Sequence, residues 1–232
     1  MEKIYILLFI VWVLFSVSGC AFRKNCATGR KTVPPKNTPA NAHMNHSDFS
    51  TLIERFENPE RDKWQKPEKV IATLGDLNNK QVIDIGAGTG YFSIRLAKAG
   101  AEVIAADVDD RFSHYLQERL DTTDVAPGSV TPKQVQLDDP MIAGKSMDLA
   151  LIVNTYHHID HRTKYFHKVH EGLKPGGKLV VIDFKKEETP MGPPIAIKVS
   201  PEQVKEELFE AGFRQFHIDK ELLPYQYLII AE

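Results

Sequence analysis

The fold of this chain is decided by the stretch Val82-Ile83-Asp84-Ile85-Gly86-Ala87-Gly88-Thr89-Gly90. Its first four residues are apolar and β-branched apart from the acid, which is typical of a buried parallel strand. Three glycines follow at alternate positions, and residues 91–100 have the apolar spacing of a helix that ends at a glycine. A strand, a glycine turn and a helix N-terminus allow backbone N–H groups to approach a ligand closely. The stretch therefore predicts a ligand-binding turn at the end of a strand.

The spacing of the glycines indicates which ligand is bound. A dinucleotide-binding fingerprint would require a third glycine at the position of Tyr91, which argues against an NAD-binding oxidoreductase. The observed D-x-G-x-G-x-G pattern resembles motif I of the class I S-adenosylmethionine (SAM)-dependent methyltransferases. The resemblance implies that Gly86, Gly88 and Gly90 pass the methionine end of SAM. It also implies that Asp84 helps to hold the ammonium group of SAM.

Length and composition restrict the class of protein. The 232 residues allow one domain with an N-terminal extension, and the charged (26%) and hydrophobic (42%) fractions are those of a globular protein. The net charge of −2 offers no general attraction for nucleic acid. Neither cysteine lies in the predicted domain, so no disulfide framework or cysteine-rich metal site is predicted. The sequence does not indicate an oligomeric state.

The N-terminus has the pattern of a signal peptide. Residues 4–17 form an almost continuous apolar run, shorter than the roughly 20 residues of a membrane span. The run ends in Val17-Ser18-Gly19-Cys20, which resembles a bacterial lipobox and implies lipid on Cys20. Residues 1–19 are thus predicted to be a signal peptide, with the mature protein a lipoprotein of the cell envelope. The alternative is an uncleaved signal anchor with a cytoplasmic domain, because the bases that follow favour the cytoplasmic side.

Residues 20–46 are predicted to be an extended, basic tether. They contain prolines among Asn, Thr and Ala, and their bases could contact anionic lipid headgroups. The sequence His43-Met44-Asn45-His46 could bind a soft metal, although a polar linker end is the preferred interpretation and no metal site is predicted. The methyltransferase domain is assigned to residues 47–232.

The segment just before the first strand contains an unusual tryptophan, Trp64, among charged residues. In methyltransferases that this chain resembles, the corresponding segment covers the SAM pocket. The resemblance implies this role for Arg61, Trp64 and Gln65, with Trp64 and Gln65 on the substrate or lid side. The alternative is that Trp64 only packs the segment against the sheet.

Acids at the ends of the second and third strands are candidate contacts for adenosine. Asp107 ends the predicted strand 102–107, where a carboxylate can accept hydrogen bonds from both ribose hydroxyls. The resemblance implies this role for Asp107. After the predicted third strand, residues 130–137, it places an acid at the adenine amino group, which Asp138 or Asp139 could supply. A plain Asp-Pro turn is the alternative for these two residues.

The end of the fourth strand is predicted to face the transferable methyl group, because open parallel sheets bind ligands at the carboxyl ends of their strands. The strand, residues 146–154, leads into Thr155-Tyr156-His157-His158. Asn154 is predicted to contact the cofactor and Tyr156 the substrate. His157 or His158 could act as a base, since histidine titrates near neutrality, or could only shape the pocket. A metal site that includes His161 is not predicted.

The remaining chain completes the fold. Lys174-Pro175-Gly176-Gly177 and the strand 178–184 resemble the turn and fifth strand of the same family, and residues 185–199 have the length of a substrate lid. The predicted fold is α/β, a doubly wound, seven-stranded, mostly parallel sheet in the order 3-2-1-4-5-7-6, with an N-terminal helical extension.

The predicted function is methyl transfer from SAM to a small-molecule nucleophile whose identity the sequence does not give. The N-P-P-Y motif of many amino-group methyltransferases is absent, and Asn154-Thr155-Tyr156-His157 occupies its place. The alternative is a membrane-tethered SAM-binding or nucleoside-binding protein without turnover. Export away from the cytoplasm, where SAM is made, would favour that alternative.

Overall fold

The structure, a computed structural model, describes residues 48–232. The predicted signal peptide, Cys20 and the predicted tether lie outside the described residues, so these assignments and the domain bounds stay predictions. Within residues 48–232, no helix has the length and hydrophobicity needed to cross a membrane.

Within residues 48–232, three helices precede the sheet: α1 (Phe49–Phe56), α2 (Arg61–Gln65) and α3 (Pro67–Thr73). The carboxylate of Asp48 accepts a hydrogen bond from the backbone N–H of Ser50 and caps α1. Proline occupies the first position of α3, where its missing N–H costs no helical hydrogen bond. These helices are the predicted N-terminal extension.

The sheet has seven strands in the order β3-β2-β1-β4-β5-β7-β6, which confirms the predicted topology. Strands β1 to β5 run parallel to one another, and β7 is antiparallel to β5 and β6. The strands are β1 (Gln81–Ile85), β2 (Glu102–Asp107), β3 (Val130–Gln134), β4 (Met147–Val153), β5 (Leu173–Phe184), β6 (Phe216–Asp219) and β7 (Gln226–Ala231).

Helices cover both faces of the sheet and bury an apolar core on each. One core includes α3, α4 (Tyr91–Lys98) and α5 (Asp110–Leu120). The other includes α6 (Arg162–Gly172) and α7 (Pro201–Ala211). The central strands are apolar on both sides because both faces are covered. The ends of β1, β2 and β4 lie side by side, since Ile85 pairs with Ala106 and with Ile152.

Two strands differ from their predicted bounds by more than two residues. β3 ends at Gln134 because residues 136–139 form a turn closed by a bridge between Gln136 and Asp139. β5 begins at Leu173 and includes the predicted Lys-Pro-Gly-Gly turn. That turn is present as a bulge, since the pairing with β4 moves from Leu173 directly to Lys178.

Candidate functional site

The glycine turn after β1 lies in a conformation that requires glycine. The φ angles of Gly86, Gly88 and Gly90 are 74°, 53° and 82°. A Cβ atom on Gly86 would lie 2.3 Å from Oγ1 of Thr155, and one on Gly90 would lie 2.4 Å from a methyl group of Leu116. Because neither position tolerates a side chain, the backbone of the turn packs closely against β4 and α5.

Asp107 connects the end of β2 to the glycine turn. Its Oδ2 accepts a hydrogen bond from the N–H of Gly88 at 2.9 Å, and its Oδ1 accepts one from the N–H of Asp109 at 3.0 Å. Burial raises the pKa of Asp107 above its usual range, and these two hydrogen bonds oppose the rise. A carboxylate has about four acceptor sites, so both oxygens retain capacity for hydroxyl donors. This geometry fits the predicted ribose contact.

Asp84 is a buried acid directly beneath the turn. Its Oδ2 accepts a hydrogen bond from Oγ of Ser93 at 2.6 Å. Burial raises the pKa of Asp84 to about 6, while the Ser93 hydrogen bond and the nearby Arg61 guanidinium lower it. A second cation beside this carboxylate would be favourable, which fits the ammonium group of a bound amino acid.

Arg61 places a positive charge near the carboxylate of Asp84. Its Nη1 donates to the backbone oxygen of Phe56 at 3.1 Å, and its guanidinium carbon lies 3.8 Å from the centre of the Tyr91 ring. The Nε of Arg61 is buried and has no hydrogen-bond partner in the described part of the chain, and the same is true of Oγ1 of Thr89. Burial lowers the pKa of Arg61 to about 10.

Buried donors without partners are costly, so these two atoms indicate a missing acceptor. A carboxylate at this place would pair with Arg61, and an ammonium beside it would pair with Asp84. The residues present therefore fit the amino-acid end of SAM. The sequence predicted Arg61 only as part of the pocket cover.

The cover over the glycine turn is formed by α1 and α2. A Cβ atom on Gly88 would lie 3.3 Å from the ring of Phe56, which stacks on Phe112 with ring centroids 5.6 Å apart. The ring of Trp64 lies 5.8 Å from that of Phe184, the last residue of β5. Trp64 therefore contacts the carboxyl end of β5, and its predicted place on the substrate or lid side stays a prediction.

Gln65 and Asn154 meet directly, together with a residue that the sequence did not single out. Nδ2 of Asn154 donates to Oε1 of Gln65 at 3.2 Å, and both side chains are hydrogen-bonded to Gln226. Gln65 and Gln226 are fully buried. The prediction that Gln65 lines the substrate side is therefore corrected, because its amide is used inside the domain. Only the position of Gln226 at the start of the last strand could have drawn attention to it.

His157 forms a buried pair with Asp183, near the end of β5. The carboxylate accepts hydrogen bonds from Nδ1 of His157 at 2.9 Å and from its backbone N–H at 3.1 Å. Because the carboxylate binds Nδ1–H, the lone pair of a neutral imidazole lies on Nε2, the tautomer that a general base needs. The sequence analysis did not single out Asp183. Its position near the carboxyl end of a parallel strand, where ligands bind, could have indicated it.

His158 lies beside this pair, with ring centroids 4.2 Å apart. Burial lowers the pKa of His158 to about 4, and the neighbouring His157 lowers it further. His158 is therefore neutral at physiological pH. Within residues 48–232, no group of three or more His, Cys, Asp or Glu residues is arranged to hold a metal ion.

Tyr156 is placed differently from its prediction. It is fully buried, its ring stacks on Phe166 with centroids 4.8 Å apart, and its hydroxyl donates to Glu207 at 2.7 Å. Its side chain belongs to the core between the sheet and α6 and α7, so it offers no surface to a substrate. The prediction of a substrate contact is corrected for this reason.

Asp139 stabilises a turn rather than facing adenine. Its carboxylate lies 2.8 Å from Nζ of Lys168 and accepts a hydrogen bond from the N–H of Met141 at 2.7 Å. The hydrogen bond from Lys168 lowers the pKa of Asp139. The structure thus supports the Asp-Pro turn for this residue. Asp138 is exposed, and its predicted contact with adenine stays a prediction.

Comparison with known proteins places part of this chain in a protein family. Residues 82–177 match the protein family described as "Methyltransferase domain". The crystal structure of a SAM-dependent methyltransferase from Aquifex aeolicus superposes with a TM-score of 0.73 at 26% identity, over 80% of this chain and 98% of that one. Residues 82–177 thus carry a methyltransferase domain.

Curated relatives of this domain are also named methyltransferases. An uncharacterized methyltransferase of Mycobacterium tuberculosis is 30% identical over 123 residues, 53% of this chain and 47% of that protein. A ubiquinone/menaquinone biosynthesis C-methyltransferase of Pasteurella multocida is 29% identical over 119 residues, 50% of this chain and 44% of that protein. The chain thus spans about half the length of the curated relatives it matches.

Proposed function

We propose that this protein is a membrane-attached enzyme that transfers the methyl group of SAM to a small, weakly acidic acceptor. The observation that carries the proposal is the hydrogen bond between Asp107 and Gly88, which brings the ribose acceptor and the glycine turn into one site. The pair of Asp84 and Arg61 extends that site to the amino-acid end of the cofactor.

The chain's residues bind and orient the two reactants. Asp107 accepts the ribose hydroxyls, Asp84 holds the ammonium group, and Arg61 holds the carboxylate. When bound, SAM supplies a sulfonium methyl group, which is already a strong electrophile, so the protein contributes chiefly by positioning the acceptor in line.

His157 is the proposed base. Asp183 holds its Nδ1–H, so Nε2 can take a proton from an acceptor hydroxyl or similar group as the new bond to carbon forms. Asp183 acts through His157 and is therefore a positioning residue. The neutral, half-buried His158 shapes the pocket beside the base.

The loop after β5 supports an acceptor with an apolar part. Met191 and Ile195 keep 39% and 36% of their surface exposed. A Cβ atom on Gly192 would lie 2.6 Å from the ring of Phe184, so the loop packs against the residue that Trp64 contacts. An apolar acceptor could cover these side chains.

Cofactor binding is tested by titrating the full chain, in detergent, with SAM and separately with NADH. Micromolar SAM affinity, on the order of −8 kcal/mol, is expected. Binding of NADH without SAM would contradict the proposal. Comparing the metabolites of a deletion strain with those of the parent would identify the acceptor.

Turnover distinguishes the enzyme from a tethered binding protein. A purified chain that binds SAM but never converts it, even with cell metabolites as acceptors, would favour the binding protein. The residues His157 and Asp183 support the enzyme, since binding of SAM alone does not require a base.

Attachment to the membrane is proposed from the sequence Val17-Ser18-Gly19-Cys20. Lipid on Cys20 would place the domain in the cell envelope, and an uncleaved anchor would instead place it in the cytoplasm. Cys20→Ala is expected to abolish both lipid labelling and cleavage after Gly19, with Cys26→Ala as the matched control. An intact Met1 on the native protein, found by mass spectrometry, would favour the anchor.

A further inference from the structure

Three side-chain amides form a closed ring of hydrogen bonds near the carboxyl ends of β4 and β5. Nε2 of Gln65 donates to Oε1 of Gln226 at 2.6 Å, and Nδ2 of Asn154 donates to Oε1 of Gln65 at 3.2 Å. Nε2 of Gln226 donates to Oδ1 of Asn154. Each amide donates once and accepts once, and we call these three residues the amide ring.

The amide ring joins three elements that are distant in sequence. Gln65 is the last residue of α2, Asn154 follows β4, and Gln226 is the first residue of β7. Gln65 and Gln226 are both fully buried. Buried amides are unfavourable unless they are paired, and a partly satisfied network is worse than an apolar one. The ring therefore specifies one position of α2 relative to the sheet.

The position of α2 matters because this five-residue helix carries Arg61 and Trp64 as well as Gln65. On its other side, Arg95 of α4 contacts Asp62 at 3.2 Å. That ion pair is exposed and contributes little to stability, whereas the amide ring is buried. The hydroxyl of Tyr91, also on α4, donates to Asp62 as well. These contacts hold α2 to α4, whereas the amide ring is a buried polar link between α2 and the ends of the strands.

We infer that the amide ring positions the cofactor cover: Gln65 and Gln226 hold α2 so that Arg61 faces the carboxylate end of the SAM site. This inference rests on the proposed function. Both glutamines are fully buried and hydrogen-bonded within the ring, so both are positioning residues. Opening the ring should let α2 shift. The shift should weaken the contact between Arg61 and the carboxylate of SAM, and it should expose Trp64 to water.

The test uses the full chain with Trp12→Phe, which leaves Trp64 as the sole tryptophan. Gln226→Leu removes both hydrogen bonds of the side chain, and Gln226→Glu keeps its shape but cannot donate. Each is expected to weaken SAM binding at least tenfold in calorimetry and to shift Trp64 emission to longer wavelength without SAM. Gln117→Leu and Gln117→Glu, at an exposed position of α5, are the matched controls.

A double-mutant cycle separates the ring from general destabilisation. Either Gln65→Leu or Gln226→Leu opens the same ring, so the double variant should bind SAM about as weakly as the single variants. Additive losses would overturn the inference. If Gln226→Leu does not fold by circular dichroism, Gln226→Glu carries the test.

The remaining outcomes are also decisive. A variant with unchanged SAM affinity overturns the inference, and so does weakened affinity with unchanged Trp64 emission, since α2 would not have moved. If the parent chain fails to bind SAM, the proposed function fails, whereas the emission of Trp64 still reports whether the ring holds α2.

Discussion

The carboxylate of Asp107 accepts a hydrogen bond from the backbone N–H of Gly88 across 2.9 Å, so the end of β2 and the glycine turn form one surface. The same carboxylate is oriented by the N–H of Asp109 at 3.0 Å. An acceptor held in this way is already directed before a ligand arrives, which reduces the entropy lost on binding.

Replacement of Asp107 by alanine should weaken SAM binding by at least tenfold. Each lost hydrogen bond to a charged group costs about 1.5–3 kcal/mol, and ~1.4 kcal/mol is one decade of affinity. Calorimetric titration measures the change, with Asp110→Ala as the control because Asp110 is exposed in the first turn of α5. Equal affinities of the Asp107→Ala variant and the parent would remove Asp107 from the site.

Replacement of Asp84 by asparagine should stabilise the free protein and weaken its cofactor binding. Burial raises the pKa of Asp84 to about 6 from 3.8, so the folded protein holds this proton to higher pH than the unfolded chain. The free energy of unfolding therefore falls as pH rises from about 4 to about 6. Above that range the free energy of unfolding of the Asp84→Asn variant should exceed that of the parent by up to about 3 kcal/mol, at ~1.4 kcal/mol per pKa unit.

Thermal unfolding of both proteins at pH 5 and pH 8 measures this gain, which should be larger at pH 8. The exposed Asp124→Asn serves as control. SAM affinity of the parent should fall below about pH 6, as Asp84 is protonated, and above about pH 8, as the α-amino group of SAM loses its charge. A stabilised variant that binds SAM normally would contradict the assignment of Asp84 to the ammonium group.

Replacement of His157 by alanine should reduce methyl transfer by roughly 10²–10⁴, the usual effect of removing a general base. SAM affinity should stay within a few-fold for both His157→Ala and His158→Ala, because the histidines lie on the acceptor side. Asp183→Asn should alter the pH dependence of turnover, while His158→Ala should change the apparent affinity for the acceptor. A His157→Ala protein that loses SAM as completely as Asp107→Ala would show that the histidine lies on the cofactor side.

Replacement of Tyr156 by phenylalanine should affect stability and not binding. The variant keeps the stack on Phe166 but loses the hydrogen bond to Glu207, which should cost about 1 kcal/mol of unfolding free energy. Urea denaturation measures the loss, and SAM affinity should equal that of the parent. A large effect on acceptor affinity with unchanged stability would restore Tyr156 to the substrate site.

Much of the fold could be predicted from local pattern. The apolar strands around Asp84 and Asp107 and the glycines between them each have a short-range signature. Their order along the chain then allowed few topologies, and the strand order was confirmed. The cofactor half of the site could be proposed from the sequence because its residues stand at strand ends, where an open parallel sheet binds its ligands.

The rest depends on contacts between residues far apart in sequence. Tyr156 lies beside two candidate histidines, yet its side chain points into the core, and no local pattern distinguishes those directions. The partner of Asp139 is Lys168 on a helix that begins more than twenty residues later. Gln226 has no polar neighbour in sequence that would mark it as part of a network with Gln65 and Asn154.

The amide ring also has a consequence for the order in which the site is made. A chain synthesised from its N-terminus contains Gln65 and Asn154 well before Gln226, and domains fold as their residues emerge. The glycine turn and Asp107 can come together early, but the helix that carries Arg61 can be fixed only after the final strand has been added. A nascent chain would therefore form its contacts to adenosine before its contacts to the amino-acid end of the cofactor.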